Sequence, residues 1–370
     1  MYIREIVACN DNWAYSQMTL QDIADRAKVS TATVSRTINR IPTVDPVLAR
    51  RVWRVIEQVG YYPNTHARTL VSGRSRIFGL IVPEITNPFF PEIVQTLTEL
   101  GVKHQYEVLL SFVAQDSSLL ENAARQMIER RVDGVATLTF GREDELINLF
   151  ARQKVPVFVV DMESREPLVR SVHIDYAHGI RQAVQHLAAL GHLRIAFVSG
   201  PEHLKTVVQR KAAFLECMRE IGLTTSPQLL IDGDHTMAAG MTAISALSAL
   251  PDRPSAVVCS NDLTAIGVMR QAFELALEIP RHLSVVGFDD IRLAQFMIPP
   301  LTTVQLSQIE IAEIAFRALL DSAEARSHKS PCYKCTIKTN LVLRRSTALA
   351  SGRLRQSSCE PQNTRASARP

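Results

Sequence analysis

The sequence predicts an α/β protein with a small helical unit at its N-terminal end and a larger body of two similar lobes. Short amphipathic segments bounded by helix-capping residues occupy residues 19–60. From Ile77 onward, apolar runs alternate with amphipathic helical patterns, which is typical of an open sheet covered by helices. The charge divides at the same place: residues 19–76 hold 10 Lys/Arg against 4 Asp/Glu, and residues 77–343 hold 24 against 30. A basic head on an acidic body indicates a polyanionic partner for the head.

The head is predicted to fold as three helices. Thr19 can cap the first helix, with Asp22 near its positive end, and Ser30 can cap the second. Asp45 followed by Pro46 is a strong signal for the start of the third helix. The apolar residues at helical spacing, which we expect to form the core, are Leu20, Ile23, Ala24, Ala27, Val34, Ile38, Val52, Val55, Ile56 and Val59.

Gly60 can end the third helix, and the basic segment "YYPNTHARTLVSGRSR" follows it at residues 61–76. Its composition fits either a plain linker or a helix that forms only when a partner orders it.

The body is predicted to contain buried parallel strands separated by helices. Because its length of about 265 residues is too great for one small sheet, two lobes are expected. Residues 347–370 show no apolar period and are predicted to be disordered. The predicted strands lie in "IFGLIV", "EVLLSF", "GVATLTF", "VPVFVVD", "RIAFVSG", "SAVVCSND" and "LSVVGFDD".

Composition excludes several classes of protein. No apolar run approaches the roughly 20 residues of a membrane span, and residues 1–18 lack the apolar stretch of a signal peptide, so a cytoplasmic protein is expected. The single CxxC, Cys332 and Cys335, has no second ligand pair nearby, so no metal site is predicted. Walker, HExxH, nucleophile-elbow and glycine dinucleotide motifs are absent from the sequence, which argues against an enzyme and against a cofactor.

The second helix of the head is the candidate DNA-reading element. Small residues at its start and a thin polar side suit a helix that enters the major groove. Arg36 can bond bidentately to guanine, and Thr31 and Ala32 can touch base edges or a thymine methyl group. An ordinary three-helix packing unit is the alternative. The polar side consists of Thr31, Ala32, Ser35, Arg36 and Asn39, and the residues that can bond phosphates are Thr19, Ser30, Thr33 and Asn39.

The segments "TLQDIADRAKVSTATVSRTIN" and "VGYYPNTHARTL" closely resemble the lactose/galactose repressor (LacI/GalR) family of bacterial transcriptional regulators. The resemblance continues through "VDGVATL", "IPRHLSVVGFDDIRLA" and "PPLTTVQL" and covers about residues 18–346. It implies a helix-turn-helix DNA-binding domain at 18–62, a hinge at 63–76, an effector-binding and dimerisation domain at 77–346 and a tail at 347–370. Because heads of this family begin close to the initiating methionine, residues 1–17 are predicted to be an extension and Met18 the true start.

The resemblance also implies how the hinge works. Paired hinge helices of the family are ordered on operator DNA, and a leucine is wedged into a central base step of the minor groove, which Leu70 matches here. The alternative for Leu70 is a buried linker anchor. Since a two-fold dimer reads two half-sites, the implied operator is pseudo-palindromic.

For the body, the resemblance implies the periplasmic sugar-binding fold, with a ligand between the lobes at the carboxyl ends of the strands. Polar residues follow three predicted strands there, among them Asp262 and Asp290. The alternative for each carboxylate is helix capping, and for the two phenylalanines it is core packing or the dimer seam. The residues that match the family's effector positions are Phe89, Phe90, Asp161, Thr206, Arg210, Asn261 and Asp289.

Three further expectations follow from the resemblance. Leu204 stands where purine repressors have a base-reading arginine, so a sugar or sugar acid is a more plausible effector than an oxopurine. The segments "PFFPEIVQTL" and "DLTAIGVMRQAF" match the family's dimer helices, and the tail lacks a leucine heptad, so a homodimer is predicted. A transport-type sugar-binding protein and a DNA-binding activator remain the alternative functions.

Overall fold

The computed structural model describes residues 18–38, 41–61, 74–113, 117–139, 143–162, 164, 166–324 and 334–350. The chain forms two compact units that divide between Ser75 and Arg76. Within the described residues, no helix combines the length and apolar character that a membrane crossing needs.

The head contains the three predicted helices, α1 (Leu20–Ala27), α2 (Thr31–Ile38) and α3 (Pro46–Val59). Its small core is the predicted one, because apolar residues three and four positions apart lie on one side of each helix. Leu20, Val29, Val59 and Tyr61 pack around this core. Gly60 ends α3 with a φ of 60°, a left-handed conformation that glycine adopts without strain.

Side-chain caps position the helices of the head. Thr19 and Asp22 form a reciprocal capping box, in which the Thr19 amide donates to Asp22 Oδ2 at 2.8 Å and the Asp22 amide donates to Thr19 Oγ1 at 3.3 Å. Ser30 Oγ accepts from the Thr33 amide at 3.1 Å. Asp45 Oδ1 accepts from two amides in the first turn of α3. All three predicted caps are therefore confirmed.

The first lobe of the body is built on a six-stranded parallel sheet in the order β11-β5-β4-β3-β1-β2. The strand β2 is half-exposed rather than buried as predicted, because it lies at the edge of this sheet. The elements of the lobe are β1 (Ile77–Val82), α4 (Phe89–His104), β2 (Glu107–Phe112), α5 (Ser117–Glu129), β3 (Gly134–Thr137), α6 (Glu143–Arg152), β4 (Val157–Val160), β5 (Val169–Asp175), α11 (Gln308–Glu324) and β11 (Lys334–Lys338).

The second lobe has a six-stranded sheet in the same spatial order, β12-β10-β9-β8-β6-β7, in which only the pairing of β10 with β12 is antiparallel among the described strands. Its elements are α7 (Tyr176–Ala189), β6 (Ile195–Val198), α8 (Lys205–Glu220), β7 (Leu230–Ile231), α9 (Met237–Ser248), β8 (Ala256–Cys259), α10 (Asp262–Glu274), β9 (Ser284–Asp289), β10 (Thr302–Gln305) and β12 (Asn340–Val342).

The chain passes between the lobes three times, from β5 to α7, from β10 to α11 and from β11 to β12. Thr339 joins the first and last of these crossings, because its hydroxyl donates to the Asp175 carbonyl at 2.7 Å and accepts from the Gly179 amide at 3.0 Å. A Cβ on Gly179 would lie 2.6 Å from that hydroxyl, so only glycine permits this approach. The first and last crossings are therefore hydrogen-bonded to each other.

The start of the predicted tail is ordered, which corrects the prediction of disorder for residues 347–350. The Ala350 amide donates to the Leu190 carbonyl at 3.0 Å, and the ring of His192 bonds the Ala348 carbonyl at 3.0 Å. These residues have no apolar period because hydrogen bonds attach them to the second lobe and only Ala350 among them is buried. Residues 351–370 lie outside the described part of the chain.

Candidate DNA-reading face and ligand cleft

The outer side of α2 presents the residues that were predicted to read DNA. Thr31, Ala32 and Arg36 are exposed, and Thr33 and Ser35 are half-buried. The opposite side of the helix is buried in the core of the head. The helix therefore offers small residues at its tip and one guanidinium further along, an arrangement that suits entry into a major groove.

Thr19 and Ser30 lie at the N-terminal ends of α1 and α2. Both residues are exposed, and their hydroxyls take part in the caps described above. The two helix ends carry partial positive charge and free amides, which favour a phosphate. Asn39 and Leu70, the other predicted DNA-contacting residues, lie outside the described residues, so their roles stay predictions.

In the body, two carboxylates stand at equivalent places of the two sheets. Asp161 directly follows β4, and Asp289 ends β9, and each of these strands is third in its sheet. Both residues have positive φ angles, 55° for Asp161 and 105° for Asp289. Such conformations are costly for residues other than glycine and gather at functional sites. The pair therefore marks the carboxyl ends of the strands as the candidate cleft.

Arg210, on α8, is the central cation of this site. Its Nη1 donates to the Ser260 carbonyl at 2.5 Å, and its Nη2 lies 3.7 Å from Asp289 Oδ1. The guanidinium also lies 3.9 Å from the centroid of the Phe288 ring and 5.0 Å from that of Tyr176. Although Arg210 is only 6 % exposed, its Nε has no hydrogen-bond partner among the described residues. The site thus holds one buried donor that the described residues leave unsatisfied.

Asp161 is linked to this cation through an aromatic side chain. The Tyr176 hydroxyl donates to Asp161 Oδ2 at 2.6 Å, and the Ile174 amide donates to Asp161 Oδ1 at 2.7 Å. His173 Nδ1 lies 3.2 Å from the same Oδ1 atom. Because Tyr176 is also the ring beneath Arg210, it connects the carboxylate of the first lobe to the cation of the second.

Asn261 is a helix cap as well as a candidate ligand contact. Its Oδ1 accepts from the Thr264 amide at 2.9 Å, and its Nδ2 donates to the His235 carbonyl at 3.1 Å. The His235 ring in turn bonds Ser260 Oγ through Nε2 at 2.6 Å. The Oδ1 atom of Asn261 therefore caps α10, and its amide nitrogen orients the loop that carries His235.

The remaining predicted residues are buried near the site or away from it. Thr206 is buried one helical turn before Arg210, so the two side chains share a face of α8. Phe89 and Phe90 are 4 % and 6 % exposed and stand edge to face within the large apolar cluster. The two phenylalanines therefore pack in the core, which was the alternative considered for them.

Two neighbouring carboxylates that also follow predicted strands have structural partners instead. Asp262 is fully buried and accepts from the Ile291 amide at 2.8 Å and from the Thr303 hydroxyl at 2.5 Å. Asp290 pairs with Arg344 Nη2 at 2.6 Å. Their bonds hold β9 and the segments next to it.

Four residues of the site were not foreseen: Tyr176, His235, Ser260 and Phe288. None of them belongs to a pattern that distinguishes it from ordinary core or loop residues. Phe288 and Ser260 directly precede the predicted residues Asp289 and Asn261, so their position at the ends of strands could have identified them. Tyr176 and His235 are far from the others in sequence and were reachable only through the fold.

Burial governs the protonation of the site. It raises the pKa of Asp289 to about 7, against the opposing charge of Arg210, and it raises the pKa of Asp161 against the hydrogen bond from Tyr176. It lowers the pKa of His235 to about 3, and the nearby charge of Arg210 adds to this effect. At neutral pH the imidazole of His235 is therefore neutral.

The Asp289→Asn variant is expected to gain stability relative to the wild type as the pH rises from 5 to 7. Folded Asp289 keeps its proton to about pH 7, whereas in the unfolded chain it ionises near its usual pKa of 3.8. Rising pH therefore favours unfolding of the wild type, by at most about 1.4 kcal/mol per pH unit. Urea unfolding of both proteins at pH 5, 6, 7 and 8 measures the difference.

His235 has the opposite effect: its contribution to the free energy of unfolding increases as the pH rises toward 6.5, because its pKa is lowered in the folded protein. Both proteins contain His235, so subtracting their free energies of unfolding isolates Asp289. If the difference in free energy of unfolding between the two proteins stays constant from pH 5 to 7, the raised pKa of Asp289 is contradicted.

Comparisons with known proteins match both units. The family model "Bacterial regulatory proteins, lacI family" matches residues 19–64, and that of the periplasmic binding protein-like domain matches residues 184–347. The HTH-type transcriptional repressor CytR of Escherichia coli (strain K12) is 33 % identical over 308 residues, which are 83 % of this chain and 90 % of that protein.

Solved structures are similar over nearly the whole chain. The lac repressor dimer bound to operator and the anti-inducer ONPF has 25 % identity and a TM-score of 0.79, covering 90 % of this chain and 99 % of that one. The complex of the transcriptional regulator CelR with cellobiose has 28 % identity and a TM-score of 0.67, covering 89 % and 99 %.

Proposed function

Because this chain belongs to the lacI family of bacterial regulatory proteins, we propose that it represses transcription by binding a pseudo-palindromic operator as a dimer, under the control of a sugar-like effector held between its lobes. The relatives that it matches are transcriptional regulators. The matched head also argues against a transport-type binding protein, which has no use for a DNA-reading unit.

The observation that carries the effector proposal is the buried guanidinium of Arg210 between Asp289 and the Asp161–Tyr176 pair. A fork of donors flanked by two carboxylates provides the donors and acceptors that neighbouring hydroxyl groups require in fixed geometry. The solved complex of the transcriptional regulator CelR with cellobiose supports the same class of ligand.

Phe288 and Tyr176 are buried beneath the Arg210 guanidinium and hold it in place, and half-buried His235 bonds Ser260 beside it. In the proposed complex the hydroxyls of a sugar meet Asp161, Asp289 and Arg210. Leu204, at the start of α8, supplies an apolar side chain and no donor to a purine carbonyl. A neutral sugar or a sugar acid is therefore our proposed effector class.

The lobe crossings supply the proposed route from the effector to the DNA. Gln308, at the end of the crossing from β10 to α11, donates from Nε2 to the backbone carbonyl of Asp289 at 2.9 Å. An effector that repositions Asp289 thus acts directly on a segment that joins the two lobes. Closure of the lobes alters the spacing of the two heads, and a coupling of 1–3 kcal/mol would change operator affinity about 5–150-fold.

A dimer brings two heads to the two half-sites of the operator. The helices matched to the dimer interface, α4 and α10, each carry an exposed apolar residue near their C-terminal ends, Val102 at 73 % and Phe273 at 78 %. A second copy that covers these two side chains would remove their apolar surface from water.

The function is tested in two steps with the full chain. First, duplexes are selected from a random library, and enrichment of a pseudo-palindrome is expected. Second, sugars and sugar acids are screened by thermal shift, because a ligand that binds only the native state raises Tm. A hit is then expected to change the affinity for the selected duplex.

The Asp289→Asn variant is the matched control for the second step. It is expected to bind the selected duplex like the wild type and to lose both the thermal shift and the change in affinity. An unaltered response would show that the ligand binds elsewhere, and the absence of any enriched duplex would end the proposal itself.

A further inference from the structure

The outward face of α3 carries three arginines in five positions, Arg50, Arg51 and Arg54. All three are exposed, because Val52, Val55 and Ile56 turn the opposite side of the helix into the core. None of the three makes an ion pair with a described residue. This set, the α3 arginines, is a cationic surface outside the predicted reading face.

The acids of the head do not neutralise this surface. Asp22 and Asp45 accept from the amides that begin α1 and α3, and Asp25 accepts from Gln21 Nε2 at 2.9 Å. Glu57, the remaining acid among the described residues of the head, forms no ion pair with the arginines. The carboxylates thus serve the helix ends and leave the positive charge of α3 uncompensated.

The arrangement is unfavourable for an isolated helix. Arg50 and Arg54 are four positions apart, and Arg51 and Arg54 are three apart, so like charges are neighbours on the helix surface. Trp53, beside them in sequence, is 36 % exposed, so three guanidinium groups outnumber one partly exposed aromatic side chain on this face. An anionic surface rather than an apolar one is therefore the fitting partner.

We propose that the α3 arginines bind the phosphate backbone of the operator flanking the groove that α2 enters. The inference rests on the proposed operator binding and adds a second contact surface to it. When one helix of a compact three-helix unit occupies a groove, the neighbouring helices lie close to the backbone on either side. Guanidinium forks match phosphate oxygens, and such contacts add affinity without reading sequence.

The test compares salt dependences of DNA binding by the full chain. The Arg50→Gln/Arg51→Gln/Arg54→Gln variant is titrated, between 50 and 300 mM KCl, with the duplex selected by the wild type and with a scrambled duplex. The slope of log affinity against log salt concentration is expected to become shallower by about 0.9 for each phosphate that the variant no longer neutralises. Affinity for both duplexes is expected to fall by a similar factor, so that the specificity ratio is kept.

Two control variants separate direct phosphate binding from overall charge and from misfolding. Arg219→Gln/Arg253→Gln/Arg281→Gln removes the same charge from exposed positions of the body and is expected to leave the slope nearly unchanged. Arg50→Lys/Arg51→Lys/Arg54→Lys keeps the charges and is expected to keep most of the slope. The inference would be overturned if the variant with glutamine at all three α3 arginines kept the wild-type salt slope, or if its slope equalled that of the body variant.

A changed specificity ratio with an unchanged slope would also overturn it, because the arginines would then be reading bases. The scrambled duplex keeps this test separate from the proposed function: failure to select an operator leaves the salt slope on scrambled DNA measurable.

Discussion

Replacing Arg210 with methionine is expected to destabilise the body by about 3 kcal/mol at pH 8 and to abolish the effector response. The substitution removes the partner of Asp289, whose buried carboxyl must then either take up a proton or stay charged without a counter-charge, and breaking such pairs typically costs 3–5 kcal/mol. It also removes the donor fork of the cleft. Urea unfolding and the thermal shift with an effector identified by screening measure the two effects.

The pH dependence of this destabilisation is part of the prediction. At pH 5 the Asp289 carboxyl is largely protonated even beside Arg210, since its pKa is about 7, so losing the cation costs less there than at pH 8. Arg181→Met is the matched control, because Arg181 pairs with Glu220 at 3.5 Å on the surface, where such pairs are worth at most about 1 kcal/mol. Equal destabilisation by the two variants would contradict the central role of Arg210.

The Arg36→Ala variant is expected to lose about 1–3 kcal/mol of discrimination between the selected operator and scrambled DNA. Arg36 is the exposed cation of α2, and the truncated side chain can no longer bond bidentately to guanine. Binding to scrambled DNA is expected to weaken much less. Competition assays with both duplexes at one fixed salt concentration measure the ratio.

Arg26→Ala provides the comparison for Arg36. Arg26 is also exposed and lies in the last turn of α1, so its replacement removes the same charge from the same unit. It is expected to leave the specificity ratio unchanged. If both variants lower the ratio alike, then α2 is not the element that reads the bases.

Arg36 and the α3 arginines are expected to make distinguishable contributions to DNA binding. Base contacts alter the ratio of specific to general affinity, whereas phosphate contacts alter the salt slope for every duplex. Within one small helical head, the two measurements therefore assign α2 and α3 separate roles.

Local signals were sufficient for the architecture of the head and for most strands. Thr19, Ser30 and Asp45 cap their helices as predicted because capping depends on residues within three positions of one another. All seven predicted strands are present, and every one except the edge strand β2 is buried, because continuous apolar runs belong to strands covered on both faces. Strands such as β5, β10 and β11 were missed, because polar residues interrupt their apolar pattern.

The capped helical head, the two-lobed α/β body and the placement of Asp161 and Asp289 at strand ends could be predicted from the amino-acid pattern, since each depends on residues close together in the chain. By contrast, the bridge from Asp161 through Tyr176 to Arg210, the bond between His235 and Ser260 and the bonds of Thr339 at the lobe crossings follow only from the folding of the whole body. Likewise, backbone hydrogen bonds to Leu190 and its neighbours, invisible in an aperiodic segment, order residues 347–350. These contacts join segments far apart in sequence, and no periodicity records which loops the packing of two sheets will bring together.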